Sequence, residues 1–142
     1  MKNTAAREVV YASLVEGEQA SFSHLITEAD VDIFASLSGD HNPLHTDDTY
    51  AATTQFGKRV VHGMLLGSLV SRLVGMHLPG RYALLVKETL EFKKPVLIGD
   101  TVMVTGTLTR KSDATKLIDI QVVIAVGDTV VTRGEVMVRM LA

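Results

Sequence analysis

"HGMLLGSLVSRLVGMHL", residues 62–78, decides the architecture. Met64, Leu65, Leu66, Leu69, Val70, Leu73 and Val74 cover most of a helical circumference. A helix apolar nearly all round is buried on most of its sides. The oily stretch from Val60 to Leu78 is broken by His62, Arg72 and His77. A membrane span needs about 20 predominantly apolar residues, so this segment reads as a core helix. Gly63, Gly67, Ser68 and Ser71 are small, which lets neighbouring backbone come close.

Such a helix needs cover, and the sequence downstream supplies it. "YALLVKETLEFKKPVLIGD" (residues 82–100) contains a strand that must end before Pro95. Residues 101–111, 116–126 and 129–140 are rich in β-branched side chains with period-two stretches, the mark of strands with one buried face. Gly127 and Asp128 join the last two as a tight hairpin turn. A further strand is expected somewhere in residues 9–23. The economical arrangement is α+β: one antiparallel sheet wrapped around the apolar helix. Its open edges favour pairing between subunits.

Upstream, "TEADVDIFASLSGD" (27–40) predicts a helix. Thr27 and Asp30 have nearly the spacing of a capping box, Val31, Phe34 and Leu37 recur at helical intervals, and Gly39 suits the C-terminal cap. Asp40 then falls on a loop. Pro43 biases Asn42 toward extended backbone. A short second helix is expected from Thr46, with Asp47 and Asp48 complementing its dipole.

The composition excludes several function classes. The chain has 142 residues, 46% hydrophobic and 21% charged, which fits one globular domain rather than a disordered chain. A net charge of -2 with no basic run argues against a nucleic-acid partner. With no cysteine, disulfides, thiolate zinc sites and cysteine nucleophiles are excluded. The N-terminal residues lack the pattern of a signal peptide. A cytoplasmic protein without a membrane partner is the expectation.

"SGDHNPLHTDD" (38–48) is a polar turn in an oily chain. Asp40 and His45 can converge on one small reactant, and acid–base work needs groups that titrate near working pH and reach the same proton. On spacing alone, a capping Asp40 and an ordinary His45 outweigh that reading. A metal site on His41 and His45 is disfavoured, because Pro43 spoils the helical face that their spacing requires. Gly63, if it opens the apolar helix, would offer an amide with no intrahelical partner, a candidate oxyanion donor. On position alone, close packing explains it better. His24 and His77 read as surface or packing residues and His62 as structural.

Taken together, "SGDHNPLHTDDTYA", "VVHGMLL" and "FKKPVLIGDTV" resemble the MaoC-like (R)-specific enoyl-CoA hydratases, from about Phe22 to Val138. The resemblance reverses the ordering above. It implies a single hot-dog domain over residues 1–142, a curved antiparallel sheet around a central helix. It implies reversible hydration of a trans-2-enoyl-CoA to an (R)-3-hydroxyacyl-CoA. Asp40 and His45 match the catalytic pair, Gly63 the oxyanion-hole amide, Ser71 a supporting serine, and Asn42 a loop-shaping position. No metal or other cofactor is implied, coenzyme A arriving only as part of the substrate, and a homodimer is expected. Arg59, Lys87, Lys93 and Lys94 are candidates to meet the coenzyme A phosphates. A helix starting near Thr46 would disfavour a protonated His45. Two rivals share the fold or the ligand: an acyl-CoA thioesterase and a non-catalytic acyl-CoA-binding module.

Overall fold

The computed structural model describes residues 5–142. Five strands form one antiparallel sheet in the order β1-β3-β4-β5-β2. They are β1 (Gln19–Leu25), β2 (Ala83–Phe92), β3 (Thr101–Ser112), β4 (Leu117–Val126) and β5 (Thr129–Met140). The helices are α1 (Glu28–Ser38), α2 (Pro43–Thr46), α3 (Asp48–Thr53) and α4 (Gly63–Arg72). This is the expected sheet curved around a central helix. The N-terminal strand begins ten residues into the span predicted for it and runs past its end.

Local chemistry sets these boundaries. Thr27 Oγ1 accepts the Asp30 N–H at 3.1 Å and Asp30 Oδ2 accepts the Thr27 N–H at 3.0 Å, so the capping box is complete and starts α1. Gly39 ends it in the left-handed region at φ 78°, donating to the Ala35 carbonyl, a conformation nearly free of cost only to glycine. Gly127 turns β4 into β5.

Alternation builds the core. Val102, Val104 and Leu108 of β3, Ile118, Ile120, Val122 and Ile124 of β4, and Val136 and Val138 of β5 face α4 with almost no exposure. Each such side chain contributes about 1.5–3 kcal/mol of burial. Gly106 lets helix and sheet touch. A Cβ there would stand 2.7 Å from Leu73 Cδ2.

The central helix departs from expectation in one way. After Arg72 it widens into one π-type turn, Leu73–His77. It is buried on most of its sides, as expected, with Met64, Ser68, Ser71 and Arg72 forming an exposed stripe. Arg72 of that stripe lies over the Phe22 ring of β1, and β2 is an edge strand paired only with β5. β2 leaves Leu84, Val86 and Phe92 about half exposed. Among the described residues, no helix is long and apolar enough to cross a membrane.

Candidate active site

The polar turn is held by its own local hydrogen bonds. The Asp40 N–H donates to Ser38 Oγ at 3.1 Å, and Asp40 Oδ1 accepts the Asn42 N–H at 3.1 Å, an Asx turn. Asn42 Oδ1 in turn accepts the Leu44 N–H at 3.0 Å. Asn42 is therefore the N-cap of α2, with Pro43 at the first helical position where its missing N–H costs nothing. One oxygen of Asp40 is thus spent on the loop, and Oδ2 is left facing His45.

His45 sits in the last turn of α2. Its Nδ1 lies 2.6 Å from the Val60 carbonyl oxygen. A carbonyl only accepts, so Nδ1 carries a proton, and the ring in its basic form presents its lone pair at Nε2. Nε2 is 4.0 Å from Asp40 Oδ2. That is too long for a direct hydrogen bond, but one water about 2.8 Å from each atom spans it. Asp40 is half exposed and His45 only 14%, so the pair reaches solvent through the carboxylate side.

Two expectations about this segment change. Thr46 does not cap a helix; it ends α2, and Asp47 caps α3 by accepting the Tyr50 N–H at 2.9 Å. His45 consequently lies in the last turn of α2 as well as just before α3, so the two helix ends oppose each other there and the dipole argument does not decide the ring. The Val60 contact fixes the tautomer instead.

Gly63 is the first residue of α4, and its amide donates to no group among the described residues. A cleft of about 340 Å³ brings it together with His45, Leu66, Phe92, Lys93 and Lys94. A Cβ on Gly63 would meet three Phe92 ring carbons at 3.2–3.3 Å, so the helix start and the edge strand nearly touch there. A second groove, about 290 Å³ and lined by Ile33, Phe34, Leu37 and Leu69 among others, lies between α1 and α4 and includes neither Asp40 nor His45.

Ser71 is not drawn into this cluster. It is exposed and lies eight residues along α4 from Gly63, about 12 Å at 1.5 Å per residue. Of the basic candidates, Lys93 and Lys94 line the cleft and Lys87 does not. Arg59 is spent internally. It is 3% exposed, its Nε donates to the His45 carbonyl at 2.5 Å, and its terminal nitrogens bind Glu28 and Asp32. It pins the backbone of His45 to α1 and is not free for a phosphate.

His62, read in the sequence as structural, is buried against both members of the pair. It is 2% exposed. Its ring stacks on His45 with centroids 4.0 Å apart, and its Nε2–H donates to the Asp40 carbonyl at 3.0 Å. Asp40, His45 and His62 meet the distance condition for a metal. Stacked rings 27° from parallel point their lone pairs side by side rather than at one centre about 2.1 Å away. The only sequence signal for His62 was its place directly before a helix-opening glycine.

Comparison with known proteins gives a consistent result. A family model described as a MaoC like domain matches residues 13–132. The chain is 40% identical over 132 residues to an (R)-specific enoyl-CoA hydratase of Rhodospirillum rubrum, covering 93% of this chain and 92% of that one. It is 49% identical over 90 residues to the (R)-specific enoyl-CoA hydratase of Aeromonas caviae, covering 63% of this chain and 67% of the relative. The solved (R)-hydratase from A. caviae superposes with a TM-score of 0.87 at 39% identity, over 90% of this chain and 98% of that one. Unliganded R-hydratase PhaJ1 from Pseudomonas aeruginosa gives 0.91 at 34% identity, over 95% and 87%.

Proposed function

This chain belongs to the MaoC-like domain family, with the hot-dog fold, and on that premise we propose that it is an (R)-specific enoyl-CoA hydratase. It is a hydro-lyase, as the named relatives are. The observation that carries the finer reading is the placement of His45 and the unpartnered Gly63 amide in one cleft, with Asp40 4.0 Å from His45.

The chemistry follows from those groups. Asp40 Oδ2 and His45 Nε2 hold one water between them. As its oxygen attacks C3 of the trans-2-enoyl thioester, the pair accepts its proton. The electrons of the C2=C3 bond move onto the thioester oxygen as an enolate. The Gly63 N–H, at the positive end of α4, stabilises that charge, and such a donor is worth about 2.7–4 kcal/mol in the transition state. The enolate then collapses and takes a proton at C2 from the pair. The net change is addition of water, so the step needs no metal or redox cofactor. Asn42 holds the loop, and Lys93 and Lys94 meet the phosphates of coenzyme A at the cleft mouth.

A homodimer joined through β2 fits this reading. An edge strand with half-exposed Leu84 and Val86 presents unpaired backbone and apolar surface to a second copy. Sedimentation of the parent and of Val86→Arg tests it, the variant shifting to monomer.

Loss of the conjugated absorbance of crotonyl-CoA, with product accepted only by an (R)-specific dehydrogenase, tests the activity. Asp40→Asn should keep the fold and substrate affinity and lose about 10²–10⁴ in kcat. Free thiol release would instead assign a thioesterase. Binding with no turnover across chain lengths would leave only an acyl-CoA-binding module.

A further inference from the structure

We infer that His62 is a positioning residue for this reaction, resting on the hydratase reading above: it holds His45 and Asp40 at their working separation and couples both to the start of α4. It touches both members of the pair by different means. Its imidazole lies flat against His45, centroids 4.0 Å apart at 27°. Its Nε2–H donates to the Asp40 carbonyl at 3.0 Å, across 22 residues of sequence. Its own carbonyl accepts the Leu65 N–H at 3.1 Å, and its neighbour Gly63 supplies the oxyanion donor. Phe34 of α1 packs on the other side, centroids 4.9 Å apart.

Consider what else could set the Asp40–His45 distance. Asp40 is restrained locally through Ser38 and Asn42, contacts that hold the loop backbone but not the position of the His45 ring. His45 is restrained through Val60 at its ring, through Arg59 at its carbonyl and through the Asn42 carbonyl at its N–H, 2.8 Å away. Asn42 therefore joins the two residues, but it leaves the His45 ring free to move against Asp40. His62 contacts that ring and the Asp40 carbonyl directly. A donor bond to a carbonyl fixes the height of the Asp40 backbone, and a stacked ring stops His45 from tilting about the axis its single Nδ1 bond leaves free. Because the Asp40 carbonyl can only accept, His62 Nε2 carries the proton. Nδ1 is then a buried acceptor with no protein partner. A residue kept only for packing would be better served by an apolar ring. Displacement of reacting groups by about 1 Å can cost on the order of 10²-fold in rate.

Two substitutions separate the contacts. His62→Phe keeps a ring to stack and removes the donor. His62→Gln keeps a donor of similar reach and removes the ring. With crotonyl-CoA, each is expected to fold and to lose roughly ten-fold or more in kcat while KM moves less than about three-fold, and His62→Ala to lose about 10². Circular dichroism and thermal melts of the same samples show that the fold is kept. Parental kcat in folded Phe and Gln variants overturns the inference, and so does a loss carried wholly by KM. Should His62→Ala fail to fold, the Phe and Gln pair decides alone. A parent without hydratase activity refutes the functional reading, and this inference falls with it. An active parent with indifferent variants refutes only the role of His62.

Discussion

A Gly63→Ala substitution would put a methyl carbon 3.2–3.3 Å from three ring carbons of Phe92. Relaxed carbon contacts sit near 3.5–4.0 Å, so α4 and β2 must part by a few tenths of an ångström. The N–H of residue 63 moves with the helix start. An oxyanion donor acts within a narrow window, about 2.7–3.1 Å from the developing charge, and its complete loss costs roughly 2.7–4 kcal/mol. Forfeiting about half of that leaves a barrier higher by roughly 1.5–2 kcal/mol, which is a ~10–30-fold fall in kcat. Stability should move the other way or not at all, because alanine is favoured over glycine in a helix by about 0.5–1 kcal/mol. Steady-state hydration of crotonyl-CoA with a thermal melt alongside reads both quantities. The companion Gly63→Ala/Phe92→Ala removes the ring and should recover most of the lost rate. Unchanged kcat in the single variant, or a double variant no better than the single, would refute the assignment of the Gly63 amide and its dependence on Phe92.

Other outcomes follow from the same geometry. Thr27→Ala removes the N-cap of α1 and should cost about 1 kcal/mol in chemical denaturation. Its partner Asp30 is pulled by burial toward a higher pKa, but hydrogen bonds from Thr27 and His24 outweigh this and lower it. A depressed carboxyl stabilises the fold above its unfolded value of 3.8 and loses that contribution as pH falls through the folded value. The stability gap between parent and Asp30→Asn should therefore be present at neutral pH and shrink in acid. Glu88 of β2 behaves oppositely: burial raises its pKa from 4.5, and its Oε1 has no partner. The charged form is the costly one, so Glu88→Gln should melt higher than the parent at pH 7, with the gain shrinking toward pH 4; a gain that grows in acid contradicts this. Lys93→Ala with Lys94→Ala should raise KM for enoyl-CoA more than kcat falls, and flatten its dependence on salt, since these exposed cations act on phosphates through a screened field.

Much of the chain was legible before any coordinates because its signals are short-range. The bounds of β5, the Gly127 turn, the Thr27 capping box and the Gly39 cap each depend on residues within a few positions of one another, and the backbone groups they satisfy are local. The same holds for the Asx turn at Asp40, whose hydrogen bonds span two residues. The motif that pairs Asp40 with His45 is contiguous for this reason. The cap of α3 was misassigned by one residue because Thr46 and Asp47 are both good caps, and only the path of the chain after Pro43 chooses between them.

Tertiary structure decided what the sequence left open. His45 takes its proton position from Val60, fifteen residues on. His62 meets Asp40 across twenty-two, and Arg59 reaches back thirty-one to Glu28. Nothing in the periodicity of either partner encodes such a contact, because its energy comes from how α1, α2 and α4 pack rather than from neighbouring residues. That is why Arg59 read as a free cation and proved buried, and why the contacts of His62 with His45 and Asp40 could not be read from its position before Gly63. Ser71 shows the converse. Its spacing from Gly63 is a fact of sequence, but whether it faces the cleft depends on the turn of α4 against β2, and that turn leaves it exposed on the outer stripe.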